Sequence, residues 1–176
     1  MKVTLAKTAG FCFGVQRAVD TVYRVLEEEH EKPLDEQRSI YTYGPIVHNE
    51  TVIQKLAAEG VQVLESEEEL ATLHDGIVII RAHGVPKHIY ELLQKQRVEA
   101  VDASCPFVQK IQRLVQQHTA AGEEVFVTGN PEHPEVIGIM GWAEGGISAI
   151  PDIETAEKLP NGEGRSVVVV SQTTFN

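Results

Sequence analysis

Residues 77–80, Ile-Val-Ile-Ile, form a continuous apolar run that stops abruptly at Arg81-Ala82-His83-Gly84. A strand without polar alternation is covered on both faces, as in a parallel sheet packed between helices. The rest of the chain repeats the arrangement. Strand-like runs at 3–6, 39–43, 61–64, 99–102, 124–128, 147–150 and 167–170 alternate with helical patterns. The clearest helix begins near Val15 and sets Val15, Ala18, Val19, Val22, Val25 and Leu26 on one stripe. The valine run 167–170 is expected to be buried like 77–80. This alternation predicts the α/β class with mainly parallel sheets, in two similar units over residues 1–100 and 101–176.

A chain of 176 residues is long enough to bury a sizeable core. Its net charge of −11 disfavours a nucleic-acid partner, because phosphate backbones recruit clustered lysine and arginine. Much of the acidity lies in Glu27-Glu28-Glu29 and in residues 65–69, both expected to be solvated helix faces. No apolar run approaches the ~18 residues that span a bilayer, and no secretory leader pattern is present. No membrane partner is expected. Two distant cysteines and no leader point to a cytoplasmic protein. Its thiols are then ligands, nucleophiles or core residues rather than a disulfide.

The chemically unusual residues gather at one kind of position. Cys12 follows the first apolar run, His48 follows 39–43, and His83 follows 77–80. Cys105 follows 99–102, His133 and Glu135 follow 124–128, and Thr173 follows 167–170. Each lies just past the carboxyl end of an expected strand, the edge where open parallel sheets bind ligands. The glycines flanking Cys12 and the helix start behind it favour a presented, anionic sulfur. Pro134 suits a first helical turn that leaves N–H groups free beside His133, and the Glu135 carboxylate could move protons.

Plainer explanations exist for every member: a buried apolar cysteine, a hydrogen-bonded structural histidine, a strand-end hydroxyl. His30, His74, His88 and His118 fall on acidic or helical surface and are expected to be solvated. Three histidines with few clustered cations suggest a compact anion held by imidazoles and backbone N–H groups. Lys7, Arg17 and Arg81 could add positive field. Two thiols suggest a soft metal, either zinc or an iron–sulfur cluster. The close cysteine spacing of a zinc site is absent, as are the glycine-rich nucleotide-phosphate motifs.

Six ordered segments carry a resemblance. They are Ala9-Gly10-Phe11-Cys12-Phe13-Gly14-Val15, Gly44-Pro45-Ile46-Val47-His48-Asn49, Arg81-Ala82-His83-Gly84-Val85, Asp102-Ala103-Ser104-Cys105-Pro106, His133-Pro134-Glu135-Val136 and Ser171-Gln172-Thr173-Thr174. With them the chain resembles the 4-hydroxy-3-methylbut-2-enyl diphosphate reductases, the LytB/IspH family of the non-mevalonate isoprenoid pathway. The resemblance implies three α/β units in a trefoil-like arrangement around a [4Fe-4S] cluster held by three cysteines. Cys12 and Cys105 would be two of these ligands. His48, His83 and His133 would hold the diphosphate, with His133 also relaying protons. Glu135 would deliver protons, and Thr173 would lie near the substrate hydroxyl.

The implied reaction is reductive dehydroxylation to isopentenyl and dimethylallyl diphosphate, with reduced ferredoxin or flavodoxin as electron donor. The family's third cysteine and a diphosphate-gripping Ser-Asn pair follow the Gln-Thr-Thr motif. This sequence is therefore expected to be the N-terminal portion of a longer enzyme, lacking the third unit and turning over little by itself. Two other readings stay open: a non-catalytic diphosphate- or metal-binding α/β module, and a zinc hydrolase using Cys12, Cys105 and a histidine.

Overall fold

The computed structural model describes residues 1–7, 9–96, 98–159, 164 and 166–175. Helix α1 (Phe13–His30) precedes strand β1 (Ile40–Tyr43), followed by α2 (Glu50–Ala58), β2 (Gln62–Leu64), α3 (Glu67–Thr72), β3 (Ile77–Ile80), α4 (Lys87–Lys95) and β4 (Glu99–Asp102). Then come α5 (Pro106–Ala120), β5 (Glu124–Thr128), α6 (Pro134–Met140), β6 (Ile147–Ile150), α7 (Ile153–Glu157) and β7 (Val167–Ser171). The strands form two sheets, ordered β2-β1-β3-β4 and β6-β5-β7, with every pairing parallel. The chain is an α/β protein.

Each sheet starts from an inner strand. The chain leaves β1 for β2 on one side and returns to β3 on the other; β5, β6 and β7 do the same. At such a switch point the loops after neighbouring strands diverge and leave a crevice at their carboxyl ends. One crevice therefore lies over β1 and β3, the other over β5 and β7.

The core follows the sequence pattern. All four residues of β3 are buried, with Ile77 and Ile79 packed on α1 and α2, and Val78 and Ile80 on α3 and α4. The α1 stripe buries Ala18, Val19, Val22, Val25 and Leu26, with Val15 at its margin. In the second sheet Val125 and Val127 pack against Val115 of α5 and Val136 and Ile139 of α6.

Three expectations are corrected. Residues 3–6 form no strand; Val3 and Leu5 stand 79% and 84% exposed. An apolar extended segment becomes a strand only by pairing, and residues 3–6 pair with neither sheet. Strand β7 is an edge strand covered on one face, so Val170 is buried while Val169 is 62% exposed. Strand β4 straddles the expected division at residue 100 and pairs with β3 along its length.

A further correction concerns Glu29, which is not solvated. It is buried at the end of α1 and accepts bonds from the Arg38 backbone N–H (2.9 Å), Arg38 Nη2 (3.0 Å) and Lys32 Nζ. Arg38 also reaches Glu99 of β4 at 2.8 Å, so the clamp ties α1 to the far edge of the sheet. Burial alone would raise the Glu29 carboxyl, but the bonds from Arg38 and Lys32 outweigh it and hold the group at about 2. A folded-state value below the ordinary 4.5 gives stability that is complete above about pH 4.5 and is lost as pH falls toward 2. Denaturant titrations should show a loss on the order of 2–3 kcal/mol across that window. Glu29→Gln should abolish most of this pH dependence; an unchanged profile would disprove the clamp.

Candidate functional site

The thiols occupy equivalent places. Cys12 is the N-cap of α1 and Cys105 the N-cap of α5, which Pro106 opens. Neither sulfur caps its helix by a hydrogen bond, so both remain free for a ligand at the positive end of a long helix. Cys12 is exposed and Cys105 half-buried, which removes the plain core explanation for Cys12. Both line an open cavity of about 750 Å³ together with Thr173.

The loop before Cys105 is pinned. The Cys105 N–H donates to the Ala82 carbonyl (2.9 Å), and Arg17 donates to the Ser104 carbonyl (2.7 Å). The Ser104 N–H donates to Asp102 Oδ1 at 2.8 Å. Arg17 is thereby engaged in holding the thiol loop rather than in supplying a field to an anion. Lys7 is exposed in the unpaired opening segment.

The three histidines converge. His48 precedes Asn49, whose side chain caps α2 by accepting from the Val52 N–H at 3.1 Å. His83 follows β3, and His133 is the N-cap of α6. Ring centroids lie 4.6 Å apart for His48–His83, 5.5 Å for His83–His133 and 6.0 Å for His48–His133. One sheet thus contributes two rings from its switch point, and the other sheet brings the third. Burial, then His48 and His133, then Arg81 push the His83 imidazole down to about 4, so it is neutral near pH 7. Its Nδ1 is buried without a hydrogen-bond partner.

One ring nitrogen from each histidine lies within 4.8 Å of the others, a separation that suits a metal ion or a compact anion. The cap hydrogen bond distinguishes the two. His133 Nδ1 accepts from the Glu135 backbone N–H at 3.1 Å. That bond leaves the proton of a neutral ring on Nε2, which makes Nε2 a donor. A donor suits an anion; a metal needs a lone pair.

Glu135 links the histidines to the thiol cavity. It is 1% exposed, and its two oxygens accept from the Thr173 N–H (2.6 Å) and the Thr173 hydroxyl (2.9 Å). A hydroxyl that donates to Glu135 turns its lone pairs toward the cavity that Thr173 lines. All seven residues singled out in the sequence, Cys12, His48, His83, Cys105, His133, Glu135 and Thr173, therefore belong to one neighbourhood.

Sequence reasoning missed Gln172. It is buried beside Thr173, accepts from the Asn130 N–H (3.1 Å) and donates to Thr174 (2.9 Å), tying the β5 and β7 loops together. A glutamine directly after a valine strand was the available signal. Among the histidines expected to be solvated, His30, His74 and His88 are exposed, His88 in a surface pair with Glu67, whereas His118 is half-buried against Glu123. Among the described residues no helix is long and apolar enough to cross a membrane.

Known proteins are similar to this chain in sequence and fold. The 4-hydroxy-3-methylbut-2-enyl diphosphate reductases of Alkaliphilus oremlandii and a Thermoanaerobacter species are 39% and 43% identical over 176 residues, spanning 100% and 99% of this chain. The chain spans 59% and 58% of the length of these two relatives. The solved reductase of Plasmodium falciparum superposes with a TM-score of 0.84 at 31% identity, over 96% of this chain and 50% of that one. A second solved reductase, described as the terminal enzyme of the non-mevalonate pathway, gives 0.80 at 36% identity, over 99% and 59%. The sequence profile of the LytB protein family matches residues 3–176, so it takes in all seven site residues and both sheets. The chain belongs to the LytB protein family.

Proposed function

We propose that this chain supplies the anion pocket and two thiolates of an iron–sulfur reductase. The enzyme would convert 4-hydroxy-3-methylbut-2-enyl diphosphate to isopentenyl and dimethylallyl diphosphate. The observation that carries the reading is the Glu135–Thr173 pair, which joins a three-histidine pocket on one side to a two-thiol cavity on the other. An anionic tail and a reactive carbon a few bonds away would need that adjacency. The named relatives are reductases of this diphosphate.

The donor set fits a cluster. Cys12 and Cys105 are soft ligands at two helix N-termini, open to one cavity, and would hold it. When bound, the cluster would supply the two electrons that, with two protons, release the substrate hydroxyl as water. His133 Nε2–H and its neighbours would hold the diphosphate, orienting the hydroxyl toward Thr173. Glu135 would store the proton that Thr173 passes on. We read the two sheets as two of three trefoil-like units, in a cytoplasmic enzyme reduced by ferredoxin or flavodoxin. The resemblance implies three thiolates for the cluster, and Cys12 and Cys105 would be two of them.

The test is anaerobic iron and sulfide reconstitution of the protein expressed from its native locus. Broad visible absorbance of thiolate-ligated iron is expected, and Cys12→Ser or Cys105→Ser should each remove most of it. A full cluster in both variants would sink the assignment. Diphosphate binding without any iron would instead favour a non-catalytic anion-binding module.

A further inference from the structure

Arg17 lies on α1, one turn beyond Gly14 and on the helix that Cys12 opens. Its guanidinium crosses to the loop of the other thiol. Nη1 donates to the Ser104 carbonyl at 2.7 Å, and Nη2 to the Asp102 carbonyl at 3.4 Å. Among the described residues these are the only hydrogen bonds between α1 and residues 102–106, and Arg17 makes no ion pair. A guanidinium is a planar fork of donors in fixed geometry, most often matched to a carboxylate or phosphate. Committed instead to two carbonyls of one loop, it fixes where that loop stands relative to the helix.

The loop itself is stiff. Asp102 Oδ1 accepts from the Ser104 N–H (2.8 Å) and hydroxyl (2.5 Å), and Oδ2 from Tyr90 and Gln109, both at 3.1 Å. The Cys105 N–H is held by the Ala82 carbonyl just past β3. These bonds give Cys105 a fixed place on the first sheet, but none of them reaches α1 or Cys12. The apolar stripe of α1 packs on that sheet, and apolar packing is non-directional. Gly14 admits Cys105 Sγ against the first turn of α1, again without a bond. Arg17 is therefore the directional restraint between the two thiol-bearing elements.

We propose that Arg17 is the positioning residue of the thiol pair. It sets the separation and facing of Cys12 and Cys105, and thereby how tightly they hold a soft metal group. The inference rests on the reading of the thiol cavity as a metal site. Arg17 acts through the loop and takes no part in the chemical step.

The test uses the protein expressed from its native locus, as wild type, Arg17→Met, Arg17→Lys and Arg24→Met. In the metal-free, reduced protein, bis-methanethiosulfonate reagents of graded spacer length bridge Cys12 to Cys105, and peptide mass spectrometry measures the yield. Wild type should show a sharp optimum at one spacer, and Arg17→Met a broad profile with the helical circular dichroism signal intact. After anaerobic iron and sulfide reconstitution, Arg17→Met should lose iron to a chelator about tenfold faster, the range of one charge-assisted hydrogen bond. Arg17→Lys keeps the charge but cannot span both carbonyls, so its profile should be intermediate and its iron loss about threefold faster. Arg24 is exposed and pairs with Glu28 on its own helix, so Arg24→Met should match wild type in both measurements.

A wild-type spacer profile and iron retention in Arg17→Met overturn the proposal, as does equal loosening in Arg24→Met. Should Arg17→Met fail to fold, Arg17→Lys decides alone: a broadened profile supports the proposal and a wild-type profile overturns it. Iron that binds to none of the proteins, with the spacer profiles differing as expected, removes the metal-site reading and leaves the positioning role standing.

Discussion

For the reductase role proposed above, Glu135→Gln is expected to lower kcat by about 10²- to 10³-fold while KM stays within about threefold, the split expected when a proton donor is lost but binding is kept. The magnitude corresponds to about 3–4 kcal/mol of transition-state stabilisation. Glu135 lies beneath Thr173 at 1% exposure, so it would reach the substrate only through the Thr173 hydroxyl. A glutamine retains one oxygen for the Thr173 N–H. Its NH2 group cannot accept from the Thr173 hydroxyl, which must then reverse its donor direction. The pocket would lose the proposed proton store and the Thr173 orientation together, while the histidines that would hold the diphosphate are untouched. The pH profile of kcat should lose one limb in the variant. A variant whose KM rises as far as its kcat falls would instead place Glu135 in binding.

Much of this neighbourhood was legible before any coordinates, because parallel sheets tie chemistry to one edge. His48, His83, His133 and Thr173 each follow an apolar run, and the structure sets each at a strand's carboxyl end. The β2-β1-β3 and β6-β5-β7 orders were not legible, yet they create the two crevices, because local pattern says nothing of which strand lies beside which. The same blindness explains the errors. Residues 3–6 look like a strand but pair with neither sheet, and Val169 looks buried but belongs to an edge strand. Glu29 sits in an acidic run that reads as surface; its partner Arg38 lies nine residues on, across a loop. The proton position on His133 was equally hidden, since it depends on one backbone hydrogen bond within the cap.

Gly14→Ala should uncouple folding from metal assembly. Gly14 is buried in the first turn of α1, two residues after Cys12, and an added Cβ would stand 2.5 Å from Cys105 Sγ and 3.0 Å from Cys105 Cβ. Contacts that short require something to move. The backbone before Cys105 is held by the Ala82 carbonyl, and that before it by Arg17, so the sulfur itself is the part free to yield. Rotated away, it no longer faces the cavity it shares with Cys12. Replacing a helical glycine gains about 0.5–1 kcal/mol in helix propensity, against about 1–3 kcal/mol for overpacking. Net stability should therefore shift by no more than about 2 kcal/mol, with the helical circular dichroism signal intact. Iron content after anaerobic reconstitution should nevertheless fall to the level of Cys105→Ser. If Gly14→Ala assembles iron as wild type does, the α1–α5 junction yields easily. The spacing of Cys12 and Cys105 would then not be set by close approach at Gly14.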